Sequence, residues 1–373
     1  MTRIAYLVHN LADAAVARRV RMLQAAGAEV RLAGFCRDGD VPATVAGVET
    51  ILLGRTHDAA LAQRALRVGA NMILPGKLRA ALRGADAIIA RNLEMLALAN
   101  RGRRAAPGAR LAYESLDIHR SLLGTGATNR ALRALERALL QRCDLLISSS
   151  PAFVSEYFVR YQGLTVPAVL VENKLLRIGA DAALPAQTAP LPRPPWQIGW
   201  FGNLRCRKTL DILTRAAERG NGAIRILIAG KASPAEFPNF ASAVSRPHVT
   251  YHGPYASGVL PALYGQCHYA WAVDFFEEGL NSSWLLPNRL YEAASFGTVP
   301  IALASVETGR WLARRKAGLL LEAEQANNGL QPCLEGIDAA GYARLRQAVA
   351  AIPQADLIAG QNDCEALLEA VSG

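Results

Sequence analysis

Short apolar runs alternate with amphipathic stretches of helical period along almost the whole sequence, and that alternation leaves few folds open. Ile4–Val8 is apolar and is closed by His9 and Asn10. Asp13 then stands where a helix N-cap belongs, and Val16, Val20 and Leu23 recur at helical spacing before Gly27. Arg18, Arg19 and Arg21 are expected to point away from that face. Val30–Gly34 is the next run, so the chain opens on a strand–helix–strand unit. Ala87–Ala90, Arg110–Tyr113, Leu145–Ser149 and Ala168–Val171 continue the series. Strands joined through helices in this way predict a parallel sheet covered on both faces.

The pattern breaks once. The stretch ending in LPAQTAPLPRPPW holds five prolines and little periodicity, as a linker does. A second alternating series follows, with strands expected at Gln197–Phe201, Ile224–Ala229, Val249–His252, Tyr269–Val273, Val299–Ala302 and Gly318–Leu321. The 373 residues also exceed the roughly 250–300 that one core sustains. The expected architecture is α/β: a domain over 1–175, a linker over 176–196, a second domain over 197–356, and a last helix at about 357–373 packing back on the first. Ligands of such sheets bind beyond the carboxyl ends of the strands, here in a cleft between the halves.

Composition narrows the function classes. Apolar residues make up 51% of the chain and charged residues 19%, as in a core-forming protein. The six cysteines show no C-x-x-C pair and read as reduced thiols of a cytoplasmic protein. No histidine spacing suggests a zinc site, so no metal is expected. No signal peptide is expected, and no run reaches the roughly 18 apolar residues of a membrane span. The net charge of +10 is concentrated: residues 61–140 hold fourteen Arg and Lys against five Asp and Glu. Within it, 63–84 has no acidic residue, and Arg64, Arg67, Lys77, Arg79 and Arg83 surround Leu66, Val68, Met72, Ile73 and Leu74. Such a stretch suits an anionic membrane surface. It lacks the motifs of a nucleic-acid binder.

Two segments carry chemistry. In LLPNRLYEAASFGTVPIA, Pro287 opens a helix whose Leu290, Ala293 and Ala294 face inward, and Gly297 closes it before a strand. The N–H groups at that helix start, with Ser282 and Ser283 just upstream, suit a diphosphate, and Glu292 suits a pair of ribose hydroxyls. In GWFGNLRCRKTLDIL a strand ends at Phe201, Gly202 and Asn203 let the backbone approach a ligand, and Arg205, Arg207 and Lys208 crowd the start of the next helix. Cations there disfavour the helix unless an anion sits among them. No G-x-G-x-x-G follows a strand and no P-loop lysine motif is present, which argues against a dinucleotide oxidoreductase or an NTPase. Asp38-Gly39-Asp40 spells a D-x-D but lies in a polar loop and reads as a turn.

These segments resemble the donor half of GT-B glycosyltransferases, family 4 in particular, on Gly202, Leu204 and Lys208 and then Pro287, Arg289, Glu292, Gly297 and Pro300. The first half, from IAYLVHNLADAAVARRV through ARNLEML and YESLDIHRSLLG, resembles their acceptor domain, most of all that of bacterial exopolysaccharide enzymes of the succinoglycan type. The resemblance implies a GT-B fold of two Rossmann-like, doubly wound domains facing a central cleft. It implies a metal-independent hexosyltransferase that moves a sugar from a nucleotide-sugar donor, UDP-linked, to a lipid-linked glycan acceptor on the inner face of the cytoplasmic membrane.

On that resemblance the donor is expected to meet Gly202, Asn203, Arg205, Arg207, Lys208, Gly230, Ser282, Ser283, Asn288, Arg289 and Glu292, and no cofactor is needed. The acceptor is expected near His9, Asn10, Asp13, Arg18, Arg91 and Asn92. Asp117, His119 and Glu114, just past a strand end, are the candidates for handling the acceptor proton. Family 4 members usually carry Glu-x7-Glu, and here Trp284 takes the first position while Asn203 replaces a usual arginine. These departures support a glycan-binding scaffold without activity as one alternative; a sugar-nucleotide 2-epimerase on the same fold is the other.

Overall fold

The caps fall where the alternation requires them. In the computed structural model, which describes residues 1–36, 40–55, 76–179 and 190–373, the chain divides into two units with a large sheet each. The first comprises Met1–Glu172, Leu176–Gly179 and Ala359–Gly373; the second comprises Asn173–Leu175 and Ala180–Ile358.

Eight strands build the first sheet: β1 (Arg3–Val8), β2 (Glu29–Cys36), β3 (Thr44–Val45), β4 (Val48–Arg55), β5 (Ala87–Arg91), β6 (Arg110–Ser115), β7 (Leu145–Ser148) and β8 (Ala168–Leu170). Their order is β3-β4-β2-β1-β5-β6-β7-β8, and all pairs are parallel except β3 with β4. That hairpin was not expected from the sequence. It turns through Ala46 and Gly47, at φ 50° and 80°, the left-handed pair a two-residue hairpin needs.

The helices of this unit include α1 (Ala14–Ala25), α2 (Gly76–Leu82), α3 (Leu93–Gly102) and α4 (Ala127–Leu140). Asp13 caps α1 by accepting from the Ala15 N–H, and Gly27 leaves it at φ 86°. Val16, Val20 and Leu23 face the core. Arg19, expected outside, lies on that same face and is only 3% exposed. Leu78, Ala81 and Leu82 of α2 are buried in the unit, while Lys77 and Arg79, and Arg83 just after the helix, are exposed. Arg64 and Arg67, with the rest of the expected amphipathic stretch up to residue 75, lie outside the described residues. No helix among the described residues is long and apolar enough to cross a membrane.

A two-residue strand, β9 (Leu175–Leu176), falls where the chain passes between units. The second sheet consists of β10 (Trp196–Leu204), β11 (Ile224–Ala232), β12 (Val249–Gly253), β13 (Tyr269–Trp271), β14 (Val299–Leu303) and β15 (Leu319–Leu321). It is parallel throughout, in the order β12-β11-β10-β13-β14-β15. Helices α5 (Arg207–Arg219) and α6 (Asn288–Ser295) follow β10 and precede β14. The last helix, α7 (Gln361–Ser372), belongs to the first unit, where Cys364, Leu367 and Val371 join the core of α1.

Each sheet starts near its middle and is laid down outward in both directions. Connections therefore diverge between β1 and β5 in one unit and between β10 and β13 in the other. At such a point the loops part beyond the carboxyl ends of the strands and leave room for a ligand.

One buried residue ties the second unit's entry strand to pH. His268 Nδ1 accepts from the Gln197 N–H at 3.0 Å, and Nε2 lies 2.8 Å from the Leu191 carbonyl. The carbonyl can only accept, so the ring is neutral with its proton on Nε2. Burial lowers its pKa, and protonation would set Nδ1–H against an N–H. The unfolded chain then binds the proton first. The stability His268 contributes is complete above the ordinary histidine value of about 6.5 and falls as pH drops below it. Thermal unfolding from pH 7.5 to 5.5 should show that fall, at no more than about 1.4 kcal/mol per pH unit from this group. His268→Asn should flatten it.

Candidate functional site

In the second unit Gly202 lies near the end of β10, at φ 111°, and a Cβ there would meet nothing within 4 Å. The glycine is required by the backbone, and the space over it is open. Gly230 pairs with Gly202 across β10 and β11, and a Cβ on it would stand 1.8 Å from the Gly202 carbonyl oxygen. The lack of a side chain at Gly230 is thus explained by close backbone approach.

The three cations after β10 do not act as one group. Lys208, in the first turn of α5, places Nζ 2.7 and 2.8 Å from the two carboxylate oxygens of Glu278 and 4.2 Å from the Phe275 ring centroid. Arg205 lies 4.4 Å from the Phe276 ring centroid, whereas Arg207 turns to Glu236 at 3.9 Å. Asn203 is exposed beside them. The anion that the sequence leads one to expect among these cations is met here by Glu278.

The loop carrying Glu278 links this cluster to α6. Asp274 accepts from the Phe276 N–H at 2.9 Å and from Arg289 Nη2 at 3.3 Å, with 9% and 15% of the two ionic side chains exposed. Ser282 is buried and donates its hydroxyl to the Glu277 carbonyl at 2.8 Å; Ser283 donates to the Leu280 carbonyl at 3.3 Å. These serines brace the loop. Asn288 opens α6 exposed to solvent. Glu292, half-buried one turn on, accepts from the Tyr264 hydroxyl at 3.0 Å. Phe201 and Phe296 pack against that tyrosine ring at 4.8 and 5.7 Å between centroids. Burial, then the Glu292 charge, pushes the Tyr264 hydroxyl well above the usual range, so it stays a donor. Sequence reasoning missed Tyr264, Asp274 and Glu278. The run Asp274–Gly279, two aromatics and two glutamates after a strand, was the available signal for the last two.

In the first unit a buried ionic network lies under the ends of β1, β5 and β6. Glu114 is fully buried inside β6, not past its end as expected. It accepts from Arg19 Nε at 2.6 Å and from the Tyr6 hydroxyl at 2.5 Å. Burial alone would raise its carboxyl; the Arg19 and Arg91 cations and the two hydrogen bonds more than reverse that and hold it below the usual carboxylate range. A low-pKa carboxylate with no exposure cannot reach a substrate hydroxyl, so Glu114 is withdrawn as a catalytic candidate and stands as a structural anchor.

Above the network the expected acceptor residues come together in part. Arg91 Nη2 meets Asp13 Oδ2 at 3.0 Å, and Nη1 lies 3.5 Å from the Tyr6 hydroxyl. Asn92 follows directly. His9 and Asn10 are half-buried at the end of β1, with Asn10 Oδ1 accepting from the Ala12 N–H. Arg18 is drawn away to the Glu172 carbonyl at 2.7 Å. Asp117 and His119 are exposed beyond β6. His119 caps the turn at Arg120–Leu122, its Nδ1 accepting from the Ser121 N–H at 3.2 Å, so a neutral ring carries its proton on Nε2. Asp38 and Gly39 of the D-x-D lie outside the described residues.

No protein-family model matches the chain. It is 41% identical over 375 residues, 99% of this chain and 93% of its relative, to the succinoglycan biosynthesis protein ExoL of Rhizobium meliloti. Among solved structures it is similar to HepE of Anabaena, crystallised with UDP and glucose, with TM-score 0.68 and 14% identity over 99% of this chain and 98% of that one. It is also similar to WaaG, a glycosyltransferase of lipopolysaccharide biosynthesis, with TM-score 0.65 and 15% identity over 99% and 100% of the two chains. The sucrose-phosphate synthase of Thermosynechococcus elongatus gives TM-score 0.64 and 18% identity over 100% and 96%. At such identities the likeness is one of fold. Identity of 41% along nearly its whole length, with two sheets of Rossmann order, makes the chain a member of the ExoL family built on the GT-B fold.

Proposed function

We propose that this protein is a metal-independent glycosyltransferase of exopolysaccharide assembly, moving a sugar from a UDP-linked donor to a hydroxyl of a lipid-linked oligosaccharide. The observation that carries the proposal is the cluster at the divergence point of the second sheet: Lys208 on α5 and Glu292 on α6, linked by the loop from Asp274. The relative's role in succinoglycan biosynthesis and the UDP bound by HepE support it.

In this account the diphosphate takes the place of Glu278 on Lys208. The ammonium, with Arg205 beside it, stabilises the charge that develops on the leaving group, as a metal does elsewhere. Glu292, steadied by Tyr264, accepts the ribose hydroxyls, and Asn203, Asn288 and Arg289 border the same site. Asp117 takes the acceptor proton. Lys77, Arg79 and Arg83 face the anionic inner surface of the cytoplasmic membrane, each worth about 1 kcal/mol near the headgroups.

The test is to incubate the protein with labelled UDP-glucose, EDTA and a lipid extract from Rhizobium meliloti cells lacking ExoL. Label moving into the lipid phase is expected. Label recovered only as an isomerised nucleotide sugar would mean epimerase chemistry instead.

A further inference from the structure

Glu278 brings both oxygens of its carboxylate to Lys208 Nζ, at 2.7 and 2.8 Å, from a loop 70 residues further along the chain. Among the described residues each is the other's one ion-pair partner. The same loop sets Phe275 against Lys208 and Phe276 against Arg205. A ring face attracts a cation without neutralising it, so Glu278 is what balances the charge of Lys208. The backbone around Glu278 is tied down. Its N–H donates to the Phe275 carbonyl at 3.3 Å, and the Glu277 carbonyl accepts from the Leu280 N–H at 2.9 Å and from the Ser282 hydroxyl at 2.8 Å. The carboxylate can therefore leave Lys208 by rotation about its own side-chain bonds, with the loop and both rings kept in place.

Resting on the donor-site reading, we infer that Glu278 is a built-in competitor of the donor diphosphate, an internal anion that holds Lys208 whenever the site is empty. A diphosphate binds only after this pair opens, so its apparent affinity is lowered by the fraction of chains in which Lys208 is free. Both side chains are part-exposed, which keeps the pair weak enough for a diphosphate to displace it. After transfer the same carboxylate competes with UDP for Lys208, and so favours release of the product. Glu278 acts through Lys208 and is a regulator of the site, not a ligand of the sugar.

The test is Glu278→Gln, which keeps the shape of the side chain and removes its charge. Calorimetric titrations with UDP and with inorganic pyrophosphate, both in EDTA, compare it with wild type. Each ligand should bind the variant about two- to fivefold more tightly, what one exposed ion pair is worth. Inhibition of sugar transfer by UDP should strengthen by a similar factor. On a Lys208→Ala background the same substitution should gain clearly less, because the competition is for that ammonium. Unchanged affinity for UDP in Glu278→Gln would overturn the inference, and weaker binding would do so by making Glu278 part of the donor's own contacts. A gain kept in full without Lys208 would also overturn it, as plain repulsion between like charges. Wild-type protein that binds neither UDP nor pyrophosphate would instead remove the donor-site reading, and this inference with it.

Discussion

Replacing Arg19 with alanine is expected to destabilise the first unit by about 3–5 kcal/mol, the cost of leaving a buried charge without its partner. Arg19 and Glu114 are 3% and 0% exposed and 2.6 Å apart. Without the guanidinium, Glu114 keeps only the Tyr6 hydroxyl and the Arg91 cation. With the Arg19 cation gone, burial pushes the Glu114 carboxyl up. In the variant, the folded-state value lies above the unfolded one, so the deficit should be largest at pH 7 and shrink as pH falls toward 5. Arg19→Met combined with Glu114→Leu should recover most of the loss, because apolar side chains of similar volume need no partner. Urea unfolding at several pH values reads all three effects.

Lys208→Ala is expected to act on chemistry and not on stability. Its ion pair with Glu278 is part-exposed, at 38% and 55%, and pairs of this kind contribute about 0–1 kcal/mol. The melting temperature should therefore hardly move. Sugar transfer should fall by about 100–1,000-fold, the usual loss when one preorganised donor to a developing charge is removed. Most of that should appear in kcat, since the charge on the diphosphate grows as the glycosidic bond breaks. Lys208→Arg, which keeps the charge but not the compact ammonium, should fall in between. Loss of transfer together with a large drop in melting temperature would assign Lys208 to the scaffold instead.

Local signals were legible in the sequence. The Asp13 cap, the Gly27 stop, and the inward face of Leu290, Ala293 and Ala294 depend on neighbours within a few residues, and periodicity and capping report such neighbours. The β3–β4 hairpin escaped because most of β4 is only partly buried, so its apolar pattern is weak; the Ala46-Gly47 pair between β-branched residues was its signal. Arg19 escaped for the opposite reason. It occupies the buried stripe of α1, and the carboxylate that makes this tolerable lies 95 residues away.

The candidate site divides the same way. Lys208 and Glu292 stand out in the sequence by motif spacing, whereas the close approach at Gly230 and the loop-bracing bond of Ser282 involve backbone that motif spacing does not report. Glu114, a carboxylate near a strand end, has the look of a catalytic base in one dimension and is a sealed ion-pair partner in three. Burial and long-range partners are what a single sequence carries least.

The most direct test of a donor site in the second unit is a thermal-shift titration with UDP, alongside GDP and ADP, on wild type and Glu292→Ala, with and without EDTA. A ligand that binds the folded chain must raise its melting temperature. A UDP-dependent rise is expected in wild type, one that EDTA leaves unchanged and that Glu292→Ala loses. No rise with UDP, a rise abolished by EDTA, or one kept in full by Glu292→Ala would contradict it.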